Sequence, residues 1–172
     1  MTKQIEVFDN FLEEPFFKDL ESRFCGQYVQ WIFNSDVVYP WDEDTLDNFQ
    51  FTCTPYKDGA PLNEHYNAIL PFFNKLDVKI PLRVKINLQT VTPKIIKRSF
   101  HSDMASVLGN NPLHYKTAIF YFNTNNGYTE FETGEIVESV ANRIVIFDGS
   151  IKHRGTTCTD QKTRVVLNIN YI

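Results

Sequence analysis

Two histidines, one aspartate and one arginine in the second half of the chain are the residues best equipped for chemistry. His101 and Asp103 are separated by one residue, His153 follows later, and Arg164 comes shortly after it. Two imidazoles and one carboxylate on three corners of an ion leave the opposite corners open, an arrangement that suits non-haem Fe(II). The open corners can take a bidentate 2-oxo acid and then O2, and a nearby arginine can bind the far carboxylate of such an acid. These four residues therefore predict a metal centre and a type of cosubstrate.

The positions of these residues add to their spacing, which alone is weak evidence. His-x-Asp also arises by chance, and a surface histidine can simply hydrogen-bond a nearby aspartate. Alternate residues of an extended segment point to one face, so both side chains of the pair can reach one ion. His153 follows the apolar strand Arg143–Phe147 and its turn. Arg164 opens the alternating run Thr163–Ile172; it is either a solvated surface charge or an inward-facing one that needs a carboxylate partner.

The first half of the chain contains the helical signals. Apolar residues recur at helical spacing over Phe11–Phe24 and over Asn63–Leu76, where Pro71 is expected to kink or end the second helix. His65 on that helix is expected at the surface. The segment Tyr39–Pro61, rich in Trp, Tyr, Asp and Pro, is either a lid over the site or packed irregular structure.

Strand patterns dominate the second half and occur twice in the first. Alternating or uniformly apolar runs between turn signals predict short strands at Ile5–Phe8, Asn48–Thr54, Arg83–Gln89, Thr117–Phe122, Tyr128–Glu132, Arg143–Phe147 and Thr163–Ile172. A turn is predicted at Gly109–Pro112, beside the metal pair. We expect a mainly β protein with flanking helices (α+β), a jelly roll in its double-stranded β-helix, cupin-like form with the N-terminal helices packed on one sheet. One domain would then consist of a helical support region, 1–81, and a catalytic core, 82–172.

The composition is that of an ordinary single domain. The 172 residues have a formal net charge of −4, 42% hydrophobic residues and fifteen Phe, enough for a sizeable core. The acidic balance argues against nucleic acid as a partner, and no apolar run reaches the length of a membrane span. The start of the chain has no apolar signal region, and three cysteines without metal spacing suggest reduced thiols. We expect a cytoplasmic protein without a membrane partner; nothing in the sequence indicates its oligomeric state.

The span 82–172 resembles the prolyl-hydroxylase-like branch of the Fe(II)/2-oxoglutarate-dependent oxygenase superfamily. The family pattern is His-x-Asp, a strand ending Tyr-Leu-Asn, a Gly-Gly-Glu-Thr-x-Phe segment, a Gly-Arg…Phe strand, and then a histidine and a basic residue about ten positions later. The corresponding residues of this chain are, in order, His101-Ser102-Asp103, Tyr121-Phe122-Asn123, Asn126–Phe131, Asn142-Arg143…Phe147, His153 and Arg164. The resemblance implies the jelly-roll fold and a 2-oxoglutarate-dependent dioxygenase (hydroxylase).

The resemblance also implies roles for individual residues. His101, Asp103 and His153 would ligate Fe(II). Arg164 would bind the distal carboxylate of 2-oxoglutarate, and Tyr121 would hydrogen-bond the same group. No protein residue beyond the metal ligands is expected to act as a catalytic acid or base.

Further candidates line up around this set. Asn168 lies four residues after Arg164, where some relatives place a hydroxyl contact, and is a candidate for cosubstrate binding. The strand before the metal pair, where the family often has a tyrosine, has Asn87 and Gln89 instead. These two residues, together with Arg98 and His114 near the pair, are candidates for substrate contact.

The implied reaction couples hydroxylation of a substrate to decarboxylation of 2-oxoglutarate, with O2 as second cosubstrate and release of succinate and CO2. The substrate is unidentified; a prolyl or other peptidyl residue is the best-known type in the family. Basic residues around the metal motif form either a rim that attracts an anionic substrate or scattered solvated charges: Lys94, Lys97, Arg98, Lys152 and Arg154. The alternatives are a metal-dependent hydrolase that holds Zn2+ and a non-catalytic jelly-roll protein that binds a metal or ligand.

Overall fold

The structure, a computed structural model, describes residues 5–38, 46–104 and 114–172. The described chain contains two helices, α1 (Glu14–Phe24) and α2 (Tyr66–Lys75). The strands are, in chain order, β1 (Ile5–Phe8), β2 (Ile32–Asn34), β3 (Gln50–Lys57), β4 (Ala60–Pro61), β5 (Pro81–Thr90), β6 (Lys116–Tyr121), β7 (Tyr128–Phe131), β8 (Ile136–Glu138), β9 (Arg143–Asp148), β10 (His153–Gly155) and β11 (Thr163–Tyr171).

These strands form a major and a minor antiparallel sheet. The major sheet has the order β1-β9-β6-β11-β5-β3-β2, with β4 paired to β3, and the minor sheet has the order β10-β7-β8. One buried apolar cluster joins the two sheets; it contains Ile119 and Val145 of the major sheet and Phe131 and Val137 of the minor sheet. Two packed antiparallel sheets with two helices confirm the predicted jelly roll.

The alternation of side chains in the central strands separates a helical core from the interior between the sheets. In β5, Val84 and Ile86 are fully buried on the side that also contains the α1 residue Phe24 and the α2 residue Phe72. In β11, Val165, Leu167 and Ile169 belong to the same cluster. Successive residues of a strand point to opposite faces, so the intervening residues of β5 and β11 face the space between the sheets.

Helix α1 begins later than its apolar spacing predicts. The backbone amides of Phe11 and Leu12 donate to the carbonyl oxygen and the Oδ1 atom of Asn142, each at 2.9 Å. Phe11 and Leu12 are therefore held against the turn that precedes β9, and the helix starts only at Glu14. Asn142 has a φ of 62°, a left-handed conformation that asparagine tolerates better than most residues. This explains why asparagine can stand where the family motif has glycine.

Helix α2 differs from its prediction in three ways. It begins at Tyr66, because the Oδ1 atom of Asn63 accepts the amide of His65 in a preceding turn, at 3.1 Å. Pro71 does not end the helix, which continues to Lys75, and this proline lies on the exposed side. The expectation of a surface position for His65 is wrong: its side chain is buried and its ring packs edge-on against Phe24 with centroids 5.4 Å apart.

The segment Tyr39–Pro61 is partly sheet. Residues 39–45 lie outside the described residues, as does the predicted turn at Gly109–Pro112. From Gln50 onward the chain pairs with β5, beginning at Phe51↔Leu88, so this part is a strand of the major sheet and not a lid. The short strands β2, β4, β8 and β10 were not predicted, because two or three residues carry too little pattern. Within the described chain, neither helix has the length and apolar character that crossing a membrane requires.

Candidate metal centre and cosubstrate cavity

The three predicted metal ligands lie side by side. His101 is not at the end of a long strand; it forms an isolated bridge with His153, and each backbone amide donates to the other's carbonyl, at 3.0 and 2.9 Å. The Nε2 atom of His101 lies 3.8 Å from Oδ1 of Asp103, and the Nε2 atom of His153 lies 3.8 Å from Oδ2. One ligand atom from each of the three residues lies within 4.8 Å of the others. An ion with bonds of about 2.1 Å can bridge each 3.8 Å separation. The structure therefore brings together one carboxylate and two imidazoles, as a 2-His-1-carboxylate site requires.

Both histidines are held with Nε2 toward Asp103. The Nδ1 atom of His101 lies 3.1 Å from the carbonyl of Ser99, a contact that places the proton on Nδ1 and leaves the Nε2 lone pair for a metal. His153 is buried against the ring of Phe147, with centroids 4.9 Å apart. Burial lowers the pKa of His153 to about 4, although the charge of Asp103 opposes this. The imidazole is therefore neutral near pH 7, the form that binds metal.

The carboxylate of Asp103 is held by three side chains of the major sheet. Its Oδ2 accepts hydrogen bonds from the amides of Asn168 at 2.9 Å and Asn170 at 3.0 Å, and its Oδ1 lies 3.2 Å from the Nη2 of Arg83. Burial by itself raises the pKa of Asp103, but the charges of His153, Arg83 and His101 outweigh it and hold this pKa below its usual range. The site thus provides an ionised ligand in a fixed orientation.

A cavity between the sheets extends from this triad to Arg164. It is lined by the triad and by inward-facing residues of β5 and β11, among them Lys85, Asn87, Gln89, Arg164, Val166 and Asn168. Three amide oxygens on this wall are buried without a hydrogen-bond partner among the described residues: those of Asn87, Gln89 and Asn168. Buried polar atoms are normally satisfied, so these are unused capacity for a ligand or water.

Arg164 is buried, which removes the alternative of a solvated surface charge. Only 4% of the residue is exposed, its Nε donates to the Oγ of Ser139 at 2.8 Å, and its Nη2 donates to the Oγ1 of Thr129 at 3.3 Å. Within the described ranges, no carboxylate lies within 4.0 Å of this guanidinium. Burial lowers the pKa of Arg164, yet arginine stays charged. A buried guanidinium with only neutral partners is complementary to the carboxylate of a ligand.

Tyr121 lies beside Arg164. The tyrosine is fully buried, its hydroxyl donates to the Oγ1 of Thr129 at 2.8 Å, and the Arg164 guanidinium carbon lies 5.7 Å from its ring centroid. Tyr121 and Arg164 therefore meet at one threonine hydroxyl. A ligand carboxylate bound to Arg164 would lie close to this tyrosine.

Three predicted residues do not line the cavity: Tyr121, which lies beside Arg164, and also Arg98 and His114. Arg98 is buried, and its Nη2 donates to the backbone carbonyl of Asp47 at 2.7 Å. His114 is exposed and lines a separate groove beside Leu76 and Ile172. These two residues lie outside the wall that would face a substrate.

The predicted basic rim is largely neutralised. Lys97 and Arg154 each lie 3.0 Å from the same carboxylate oxygen of Glu130, and Arg154 also stacks over the ring of Phe100 at 4.1 Å. These residues therefore act mainly on one another.

Several residues of the site were not predicted. Arg83 and Lys85 share the inward face of β5 with Asn87 and Gln89, so the period of two already contained the signal. Thr129, Ser139 and Asn170 were missed because hydroxyl and amide residues carry no distinctive spacing. Thr129 lies within the family-like segment Asn126–Phe131, which was its only signal.

Comparison with known proteins finds solved structures of the same fold. No protein-family model matches the chain, and no curated protein matches it. A 2OG-Fe(II) oxygenase family oxidoreductase from Burkholderia pseudomallei superposes with a TM-score of 0.68 and 12% identity over 97% of this chain and 84% of its own.

Two further structures are similar to the same extent. A prolyl hydroxylase from Trichoplax adhaerens, in complex with a hypoxia inducible factor peptide fragment, has a TM-score of 0.67 and 12% identity over 99% of this chain and 84% of its own. The non-heme alpha ketoglutarate dependent epimerase SnoN from nogalamycin biosynthesis has a TM-score of 0.66 and 11% identity over 99% of this chain and 76% of its own. This chain therefore has the fold of the 2OG-Fe(II) oxygenases, prolyl hydroxylases among them.

Proposed function

We propose that this protein is an Fe(II)- and 2-oxoglutarate-dependent dioxygenase that hydroxylates an organic substrate. The observation that carries the proposal is the pairing, in one cavity, of the ligand triad with the buried guanidinium of Arg164, which has no carboxylate partner among the described residues. The triad fits a metal with open corners, and Arg164 fits the distal carboxylate of a 2-oxo diacid. A zinc hydrolase would not by itself supply a carboxylate to pair with the buried guanidinium of Arg164.

The protein's own residues bind and orient. His101, Asp103 and His153 would hold Fe(II), and Arg164 with Tyr121 would hold the tail of 2-oxoglutarate. When bound there, Fe(II) would supply the activation of O2, with one oxygen atom entering the substrate and the other entering succinate as CO2 is released. Gln89 and Arg164 are buried, so the Arg164 end of the cavity is shielded from bulk water.

For the substrate we propose a peptidyl residue, with proline as the first candidate. Support comes from the Trichoplax prolyl hydroxylase, which has this fold and was solved with a peptide. The fold also occurs in an epimerase, so fold alone does not select this reaction. Location in the cytoplasm remains a prediction from the sequence.

The deciding experiment is an anaerobic titration of the purified protein with Fe(II) and 2-oxoglutarate, followed by admission of air. We expect a weak visible charge-transfer absorption that requires both components, and then formation of succinate. His153→Ala should lose both signals, because it removes one of the three ligands. His114→Ala is the matched control, since this histidine is exposed and outside the cavity.

The same experiment separates the alternatives. Succinate formation that survives in His153→Ala would show that the triad is not the iron site. Absence of both the absorption and succinate in the unmodified protein would overturn the dioxygenase and leave a hydrolase or a non-catalytic binding protein.

A further inference from the structure

A second cation lines the cavity at a distance from Arg164. Lys85 is half-buried on the inward face of β5, directly across from Asn168 on β11. Unlike the rim residues Lys97 and Arg154, it has no ion pair or hydrogen bond among the described residues. Asp103 is the one carboxylate among the described residues that line this cavity, and it is already bound by Arg83.

The strand register separates the backbone positions of the two cations along the sheet. Arg164 is paired with Gln89, and Asn168 with Lys85, so the two rows are four residues apart, or roughly 13 Å along the strands. The carboxyl carbons of a five-carbon diacid are only roughly 5 Å apart. Asn168 also hydrogen-bonds Asp103, which places the triad near the Lys85 row. A cosubstrate that extends from the triad to Arg164 therefore runs away from Lys85.

The charges in the cavity also remain unbalanced with the cosubstrate in place. Asp103 and the carboxylate of 2-oxoglutarate at the metal end would together balance the charge of a divalent metal, and the other carboxylate would balance Arg164. Lys85 is then left with a positive charge in a partly desolvated position, where an anionic partner is favoured. The nearby Asn87 has a buried amide oxygen without a partner among the described residues, and this oxygen can accept a hydrogen bond from an N–H or O–H group of the same ligand.

We infer that the substrate carries a carboxylate that pairs with Lys85, next to the metal and opposite to the end occupied by Arg164. This inference rests on the proposed function. The carboxylate can belong to a free small acid or to a peptide, through its C-terminus or an acidic side chain. Asn87 would donate or accept a hydrogen bond with the same molecule, because an amide can present either group.

The test is calorimetric titration of the protein loaded with Mn(II) and 2-oxoglutarate, which does not depend on turnover. The probes are acids and their uncharged counterparts: L-proline with L-prolinamide, glycyl-L-proline with its amide, and N-acetyl-Ala-Pro-Glu-amide with its Gln analogue. We expect at least one acid to bind about tenfold more tightly than its counterpart. The last pair separates an acidic peptide side chain from a small acid or a free C-terminus.

Three variants assign that preference to one side chain. Lys85→Met should remove the preference, Lys85→Arg should retain most of it, and Lys162→Met, at an exposed lysine, should behave as the unmodified protein. If Lys85→Met does not fold, Lys85→Gln replaces it. The inference is overturned if no acid binds more tightly than its counterpart, or if the preference persists without the lysine. It is also overturned if Lys85→Met weakens the binding of 2-oxoglutarate and leaves the preference for the acid probes unchanged. Succinate formation by the unmodified protein is recorded in parallel, so that failure of the proposed function is recognised separately.

Discussion

Replacement of Arg164 by methionine should change stability and ligand affinity in opposite directions. In the unliganded protein the guanidinium is buried with only the hydroxyls of Ser139 and Thr129 as partners. Replacing a buried charge with an apolar side chain of similar length is often neutral or stabilising. We therefore expect the free energy of unfolding of the metal-free protein to stay unchanged or to rise by about 1 kcal/mol. The same change should weaken the binding of 2-oxoglutarate by about 3–4 kcal/mol, or roughly 100- to 1,000-fold in Kd, because the charge-assisted hydrogen bonds to its carboxylate are lost.

The two effects are measured by urea unfolding of the metal-free protein and by calorimetric titration of the Mn(II)-loaded protein with 2-oxoglutarate. Arg143→Met is the control, because Arg143 pairs with the exposed carboxylate of Asp9 at the edge of the sheet, at 2.6 and 3.1 Å. It should lose at most about 1 kcal/mol of stability and bind 2-oxoglutarate normally. A destabilised Arg164→Met protein with unchanged 2-oxoglutarate affinity would show that the arginine supports the fold and does not bind the cosubstrate.

Three other changes test the surroundings of the cavity. Arg83→Met removes the cation 3.2 Å from Asp103 and should weaken Mn(II) binding about tenfold, as measured by calorimetry. An unchanged Mn(II) affinity would show that Asn168 and Asn170 are sufficient to hold the carboxylate. Gly127→Ala places a Cβ 2.7 Å from the Cδ of Arg164 and 2.8 Å from the backbone carbonyl oxygen of Thr157. We expect the free energy of unfolding in urea to fall by about 1–3 kcal/mol and 2-oxoglutarate to bind more weakly. Unchanged stability and binding would contradict this close packing. Burial, with the charge of Arg83, lowers the pKa of Lys85 to about 8 from its usual 10.5, while Asp103 opposes the shift. The unfolded chain therefore binds more protons between these pH values, and stability should rise with pH across this window more steeply in the unmodified protein than in Lys85→Met. Parallel curves would show that the lysine is solvated.

The sequence was sufficient to identify the three candidate metal ligands that the fold brings together, and to predict most of the long strands. The pattern of β5 and β11 alternates over nine or ten residues, so a period of two is visible despite the polar side chains on one face. His101, Asp103 and His153 were identifiable because few other residue types serve as such ligands. Their common location follows from the bridge between the two histidines, which no local pattern announces.

Long-range contacts explain what was missed. His65 is buried because Phe24 of the other helix packs on it, and neither residue signals the other in sequence. The late start of α1 depends on Asn142, 130 residues away from Leu12. The role proposed for Lys85, pairing with a substrate carboxylate, depends on its place in the cavity relative to Arg164, and no local pattern around Lys85 encodes that relation.

The reciprocal backbone hydrogen bonds between His101 and His153 have a consequence for the life cycle of the protein. Because main-chain atoms join the two ligand segments, the fold does not need an ion to bring them together, unlike small domains that unfold when their zinc is stripped. An ion removed from this site by a chelator would then be replaced in the folded protein, without passage through an unfolded chain. Slow hydrogen exchange of the His101 and His153 amides after treatment with a chelator would show that the site keeps its structure without a metal.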